Sequence, residues 1–104
     1  MPAKRSEQTA EFRIGQYTVT MNADDVKRVS RQMWKPTQGD QNVIHFYTDI
    51  GTLAQPHFVL LQNFILSAPG NVYVDFIDRS KQGLDCRRSN LRQSRAATTL
   101  RTTR

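Results

Sequence analysis

Residues 68–92 read APGNVYVDFIDRSKQGLDCRRSNLR, and the reading of this stretch decides the rest of the chain. Ala68-Pro69-Gly70 is a turn. Val72, Val74 and Phe76 then alternate with Tyr73, Asp75 and Ile77, the period-2 signature of a strand with one apolar face. Residues 79–83 form a polar loop ending in Gly83. The segment from Ser89 to about Ala97 reads as a helix, on which Arg88, Arg92 and Arg95 would lie along one face.

Working outward towards the N-terminus, Phe12 and Ile14 share one parity, and Tyr17, Val19 and Met21 the other. The switch at Gly15-Gln16 predicts a two-residue hairpin. Asn22 is placed to cap a helix, with Asp25 in capping-box position and Asp24 and Asp25 complementing the dipole. Val26, Val29 and Met33 form one helical stripe that Trp34 closes, and Pro36 predicts an end near Lys35. Gln38-Gly39-Asp40 reads as a turn and 43–48 as a strand. Within 57–66, Phe58 and Leu60 suit a strand, while Leu61, Phe64 and Ile65 suit a short buried helix. The sum is an α+β fold of small antiparallel strands and short helices in a single domain over 12–96. Its pieces are a hairpin and helix over 12–34, a strand and short helix over 43–66, and a C-terminal unit over 72–96. A flexible arm precedes it (1–11) and a disordered basic tail follows it (97–104).

Composition excludes several classes. The 104 residues suffice for one small domain. No stretch approaches the roughly 18 apolar residues of a membrane helix, and MPAKRSEQTAEFR has no apolar segment that reads as a secretory signal. The single cysteine, Cys86, allows no internal disulfide and no cysteine-rich metal site, which fits a reducing, cytoplasmic interior. The net charge of +6 is unevenly placed. Residues 1–78 carry seven basic against eight acidic side chains, whereas residues 79–104 carry Arg79, Lys81, Arg87, Arg88, Arg92, Arg95, Arg101 and Arg104 against Asp85 alone. Charge gathered at one end is an electrostatic footprint for a polyanion, and arginine forks suit phosphate.

The strand motif Val74-Asp75-Phe76 and the block Leu84-Asp85-Cys86-Arg87-Arg88-Ser89-Asn90-Leu91-Arg92 resemble the active-site stretch of the HNH endonuclease family, the phage- and intron-borne kind with a ββα-metal core. That family reads VDH in the strand and LDNRRSNLR after the loop, and its plan of strand pair, acidic-capped helix ending in tryptophan and second strand pair matches most of the chain. The resemblance implies a ββα-metal unit at the C-terminus. It also implies that Asp75 and Asn90 correspond to metal-holding positions, a weak residual Mg²⁺ site. The alternative for the same two residues is an ion pair for Asp75 and a helix cap for Asn90. The family's general-base histidine falls on Phe76, which cannot take a proton. Cys86 replaces an asparagine, and Gln62 and Asn63 stand where many relatives have histidine and arginine.

Three functions compete. The first is a catalytically degenerate HNH-like protein that requires no cofactor and binds duplex DNA through phosphate contacts from Arg79, Lys81, Arg87, Arg88, Arg92 and Arg95. The second is an interaction module for an acidic host protein, with Phe76, Tyr73 and Cys86 on a less polar surface. The third is a metal-dependent nicking enzyme with a substitute base; Asp78 is the candidate, since His45 reads as structural and His57 as exposed.

Overall fold

The computed structural model describes residues 8–39 and 42–94, an α+β arrangement of seven strands in three antiparallel sheets with two short helices. The hairpin comes from its alternation. Strands β1 (Thr9–Ile14) and β2 (Tyr17–Asn22) pair Phe12 with Val19 and Ile14 with Tyr17, so their apolar side chains share one face. Gly15, at φ +61°, makes the turn without a Cβ penalty. β1 begins at Thr9, inside the segment assigned above to a flexible arm, and the Ala23 N–H donates to the Gln8 carbonyl at 2.9 Å.

Helix α1 (Ala23–Val29) starts at Asn22, but the expected capping box does not form. The Asn22 amide oxygen accepts instead from the Arg88 N–H at 2.7 Å, and Asp25 turns to arginine. The helix also stops six residues before Lys35. Its end is set by Trp34, whose indole N–H takes the Val29 carbonyl at 2.8 Å and folds the chain back. Trp34 is buried as expected, whereas Met33 is 81% exposed and leaves the apolar stripe. Residues 35–38, read as helix end and turn, form β3 (Lys35–Gln38). It pairs antiparallel with β4 (Ile44–Asp49), which in turn pairs with β5 (Phe58–Leu60).

β5 runs directly into α2 (Leu61–Leu66), so both readings of that ambiguous segment hold, one for each half. Leu61 and Ile65 are fully buried and meet Val19, Met21, Val29, Phe46, Val74 and Phe76 in one core. Full burial of each such side chain contributes about 1.5–3 kcal/mol.

The C-terminal unit departs from expectation. β6 (Tyr73–Phe76) pairs antiparallel with β7 (Leu91–Ser94), reached through a loop and a single 3₁₀ turn (Arg88–Asn90). The expected α-helix from Ser89 therefore does not form: residues 91–94 are extended, and the pairing edge of β6 outweighs their modest helix propensity. Residues 95–97 lie outside the described residues. The loop segment 84–86 adds a parallel bridge to β2: the Thr20 N–H donates to Leu84 at 2.8 Å, and the Cys86 N–H to Thr20 at 2.7 Å. The N-terminal hairpin and the C-terminal motif are thus one structural unit.

Candidate functional site

The pleat of β6 sorts its side chains. Val74 and Phe76 point inward; Tyr73 and Asp75 point outward, with Arg92 directly across from Asp75. Phe76 is 4% exposed and stacks near the His45 ring, with centroids 6.4 Å apart. It is a core residue, and no proton acceptor occupies that position.

Asp75 is engaged. Its Oδ1 accepts from the Phe76 N–H at 2.8 Å and from the Arg79 guanidinium at 2.6 Å. Asn90 is turned inward and 4% exposed. Its Oδ1 accepts from the Asp78 N–H at 2.7 Å, while its amide donates to the carbonyls of Asp78 and Asp85 at 3.1 and 3.0 Å. The side chain clamps the two ends of the 78–90 loop. A divalent ion needs several oxygens converging on one point. Here a guanidinium already stands on the carboxylate, and the amide is committed to loop backbone, so the donors do not fit such an ion. Among the described residues, no group of three His, Cys, Asp or Glu side chains could hold a metal.

The candidate substitute bases fare no better. Asp78 Oδ1 accepts from the Ser80 N–H, and that backbone donor, followed by the Ser80 hydroxyl, holds its carboxyl below the ordinary range. A carboxylate stabilised in its charged form is a poor proton acceptor. His45 Nδ1 faces the Gln62 amide at 3.3 Å, and Gln62 also reaches the Val74 carbonyl at 3.4 Å. Gln62 is therefore buried beneath β6, at the wall of a space of about 200 Å³ that it shares with His45, Asn63 and Tyr73. Asn63 holds the turn before β6 through the Pro69 and Val72 carbonyls at 3.0 and 2.9 Å. The backbone N–H of exposed His57 donates to Asp49 at 2.8 Å.

The arginines divide into two sets. Arg88 bonds Asp25 through Nε at 3.0 Å and Nη2 at 2.8 Å, and also takes the Ile65 carbonyl at 2.9 Å. Asp25 itself is buried, and Arg28 flanks it at 3.5 Å. Arg88 therefore joins α1, α2 and the 3₁₀ turn; the expectation that it shares a phosphate-facing helix face with Arg92 and Arg95 is corrected. Arg87 forks onto Asp85, with both contacts at 2.8 Å. That pairing holds the Asp85 carboxyl below its ordinary value. Lys81 and Arg92 are exposed and form no ion pair among the described residues. Arg95, Arg101 and Arg104 lie outside the described residues.

Cys86 is 1% exposed, and burial, followed by the Asp85 charge, pushes its thiol up to about 12. Like Phe76, it cannot belong to a docking surface, which corrects the placement of both residues on an exposed apolar face. Tyr73, at 51% exposed, and Ile77 are the apolar side chains that the β6 hairpin does present. The alternation along β6 was sufficient to find them.

Further spaces border this hairpin and its loop. A recess of about 80 Å³ lies among His45, Tyr73, Asp75, Phe76 and Arg79. A wider groove of about 640 Å³ runs between the hydroxyls of Thr9, Thr18 and Thr20 and the loop residues Ser80, Lys81 and Arg87. No helix among the described residues is long and apolar enough to cross a membrane. No family model, curated protein or solved structure matches the chain.

Proposed function

We propose that this chain is a non-cleaving, HNH-like protein that grips duplex DNA through its phosphates. The β6–β7 hairpin with its loop, in this reading, corresponds to the nucleic-acid-facing unit of the ββα-metal family. The single observation that carries it is the fate of position 76. A buried phenylalanine sits where the family keeps its base, while the outer face of the same hairpin offers Tyr73 and Arg92 and the loop that follows β6 offers Arg79 and Lys81. Such cations supply sequence-independent affinity by releasing counterions. Among the described residues no exposed aromatic ribbon supports single-strand stacking, so duplex is favoured.

The test is a labelled duplex titrated at several salt concentrations, with supercoiled plasmid incubated in Mg²⁺ or Mn²⁺ alongside. The expected result is steeply salt-dependent binding that Lys81→Glu with Arg92→Glu abolishes, and no nicking. Absence of binding at low salt, or nicking that disappears in Asp75→Ala, refutes the proposal.

A second reading draws on a different surface. Met33, Tyr47 and Phe58 line a recess of about 260 Å³ at the β3–β4–β5 sheet. Met33 and Phe58 are largely exposed. Such a patch suits a protein partner. Recovery of one stoichiometric protein on the immobilised chain after nuclease treatment, lost in Met33→Glu with Phe58→Glu, would favour it.

A further inference from the structure

We propose that the recess beneath β6, walled by Gln62, Asn63 and Tyr73, takes a single nucleobase that carries an exocyclic amine, turned out of the stack of a bound duplex. The inference rests on the DNA-binding reading and deepens it, since it names a part of the duplex held besides the phosphates.

Two buried carboxamides carry the argument. Gln62 and Asn63 are 3% and 4% exposed, and both line a space of about 200 Å³. Gln62 Nε2 lies 3.4 Å from the Val74 carbonyl and 3.3 Å from His45 Nδ1. Asn63 Nδ2 donates to the Pro69 and Val72 carbonyls at 3.0 and 2.9 Å. A carbonyl only accepts, so these contacts fix which way each amide is turned. Gln62 Oε1 and Asn63 Oδ1 are left on the other side, and no described residue donates to either. No buried side-chain oxygen of the described residues is both sealed and unpartnered, so these two are reachable from the space that their side chains line. Buried acceptors are almost always given a donor, and a pair of them at one recess asks for a ligand that supplies it.

The lining decides what that ligand is. No Asp, Glu, Lys or Arg lines the recess, so a phosphate or an ammonium group finds no counter-charge in it. Its volume lies below the roughly 300–1,000 Å³ of sites for drug-sized molecules, which suits one planar ring. Tyr73 is 51% exposed, and its side-chain bond with Arg79 steadies a ring on which a base can stack. Amine-bearing bases present N–H donors along an edge, whereas thymine presents carbonyls that two amide oxygens repel. The recess shares His45, Tyr73 and Val74 with the smaller one that Arg79 lines, so the base site adjoins the loop that carries the cations.

The test measures anisotropy of labelled duplexes that are fully paired, or carry one unpaired adenine, or one unpaired thymine, all at the same salt. An unpaired base costs least to turn out of the stack. The wild type should bind the adenine duplex about tenfold more tightly than the thymine one. Gln62→Leu removes one acceptor and should abolish that preference while keeping salt-dependent binding to the paired duplex. Gly70→Leu should do the same without touching a buried hydrogen bond: Gly70 lines the recess, and a Cβ there meets nothing within 4 Å. It decides alone if Gln62→Leu does not fold. Equal affinity for the adenine and thymine duplexes, or a preference that survives in Gly70→Leu, overturns the inference. A wild type that binds no duplex sinks the function itself, and free nucleosides then judge the recess. The side-chain amide NMR signals of Gln62 and Asn63 should shift with adenosine and not with thymidine; no shift, or equal shifts, overturns the base site.

Discussion

Arg88 and Asp25 lie 63 positions apart, yet their contact closes the most enclosed charge in the described structure. Asp25 is 3% exposed, and Arg88 supplies two of its three guanidinium contacts. Removing one partner of a buried pair leaves a charge without compensation. Arg88→Ala should therefore cost on the order of 3 kcal/mol in denaturant unfolding; a loss below about 1 kcal/mol would mean that Arg28 alone satisfies the carboxylate. Cys86 gives a second test at this scale. With its thiol pushed up to about 12, almost none is thiolate at neutral pH. It should resist a disulfide reagent in the native protein and react at once in denaturant; fast native labelling would contradict the burial. These residues also mark a limit of sequence reading. Arg87 and Arg88 are adjacent and look alike, but one forks onto a neighbour two residues away and the other crosses the fold. Nothing local distinguishes them, because Asp25 reads as a helix-start residue. The fate of Asp75 was open for the same reason: an ion pair with arginine and a metal site were both consistent with its neighbours.

Among the elements, those that carry their own pattern were legible. The β1–β2 hairpin follows from alternation and one glycine, and the β5–α2 junction from a change of period at Leu61. β3 and β7 were not legible. The sequences KPTQ and LRQS have no strand signature, and each is extended because a neighbouring strand offers it hydrogen bonds. The loop before β7 depends on Gly83 more than its sequence suggests. Gly83 has φ +88°, and a Cβ there would lie 2.5 Å from the Ile44 carbonyl oxygen and 2.9 Å from Val43 Cγ1. Gly15 has φ +61° with nothing within 4 Å. Left-handed backbone costs an alanine about 1–2 kcal/mol at either site. Gly83→Ala adds a clash with backbone, so its midpoint in urea should fall well below that of Gly15→Ala. Equal midpoints would show that the loop does not press on β4.

At the scale of the whole molecule, charge bears on stability and on the proposed binding. Asp85 is held below its ordinary value near 3.8, first by the Arg87 side-chain bond; Asp49 is lowered first by the His57 backbone N–H, and Asp78 by that of Ser80. A folded-state pKa below the unfolded one contributes stability above the unfolded value, and that contribution is lost as pH falls through the folded value. Stability should therefore hold from neutrality to about pH 5 and decline below about pH 4, less steeply in Asp85→Asn. The proposed binding to duplex would draw on a different subset of charges. Arg87 and Arg88 are committed to carboxylates, so fewer of the 15 lysine and arginine side chains stand open to a phosphate than their number suggests. Lys81 and Arg92 remain uncommitted to any ion pair among the described residues. Each phosphate contact contributes about 0.9 to the slope of log affinity against log salt. Lys81→Ala with Arg92→Ala should lower that slope by about 1.8, while Arg87→Ala should leave it nearly unchanged. An equal drop for Arg87 would mean that the Asp85 fork opens on DNA, and that the count of available cations must be taken from the complex rather than from the free protein.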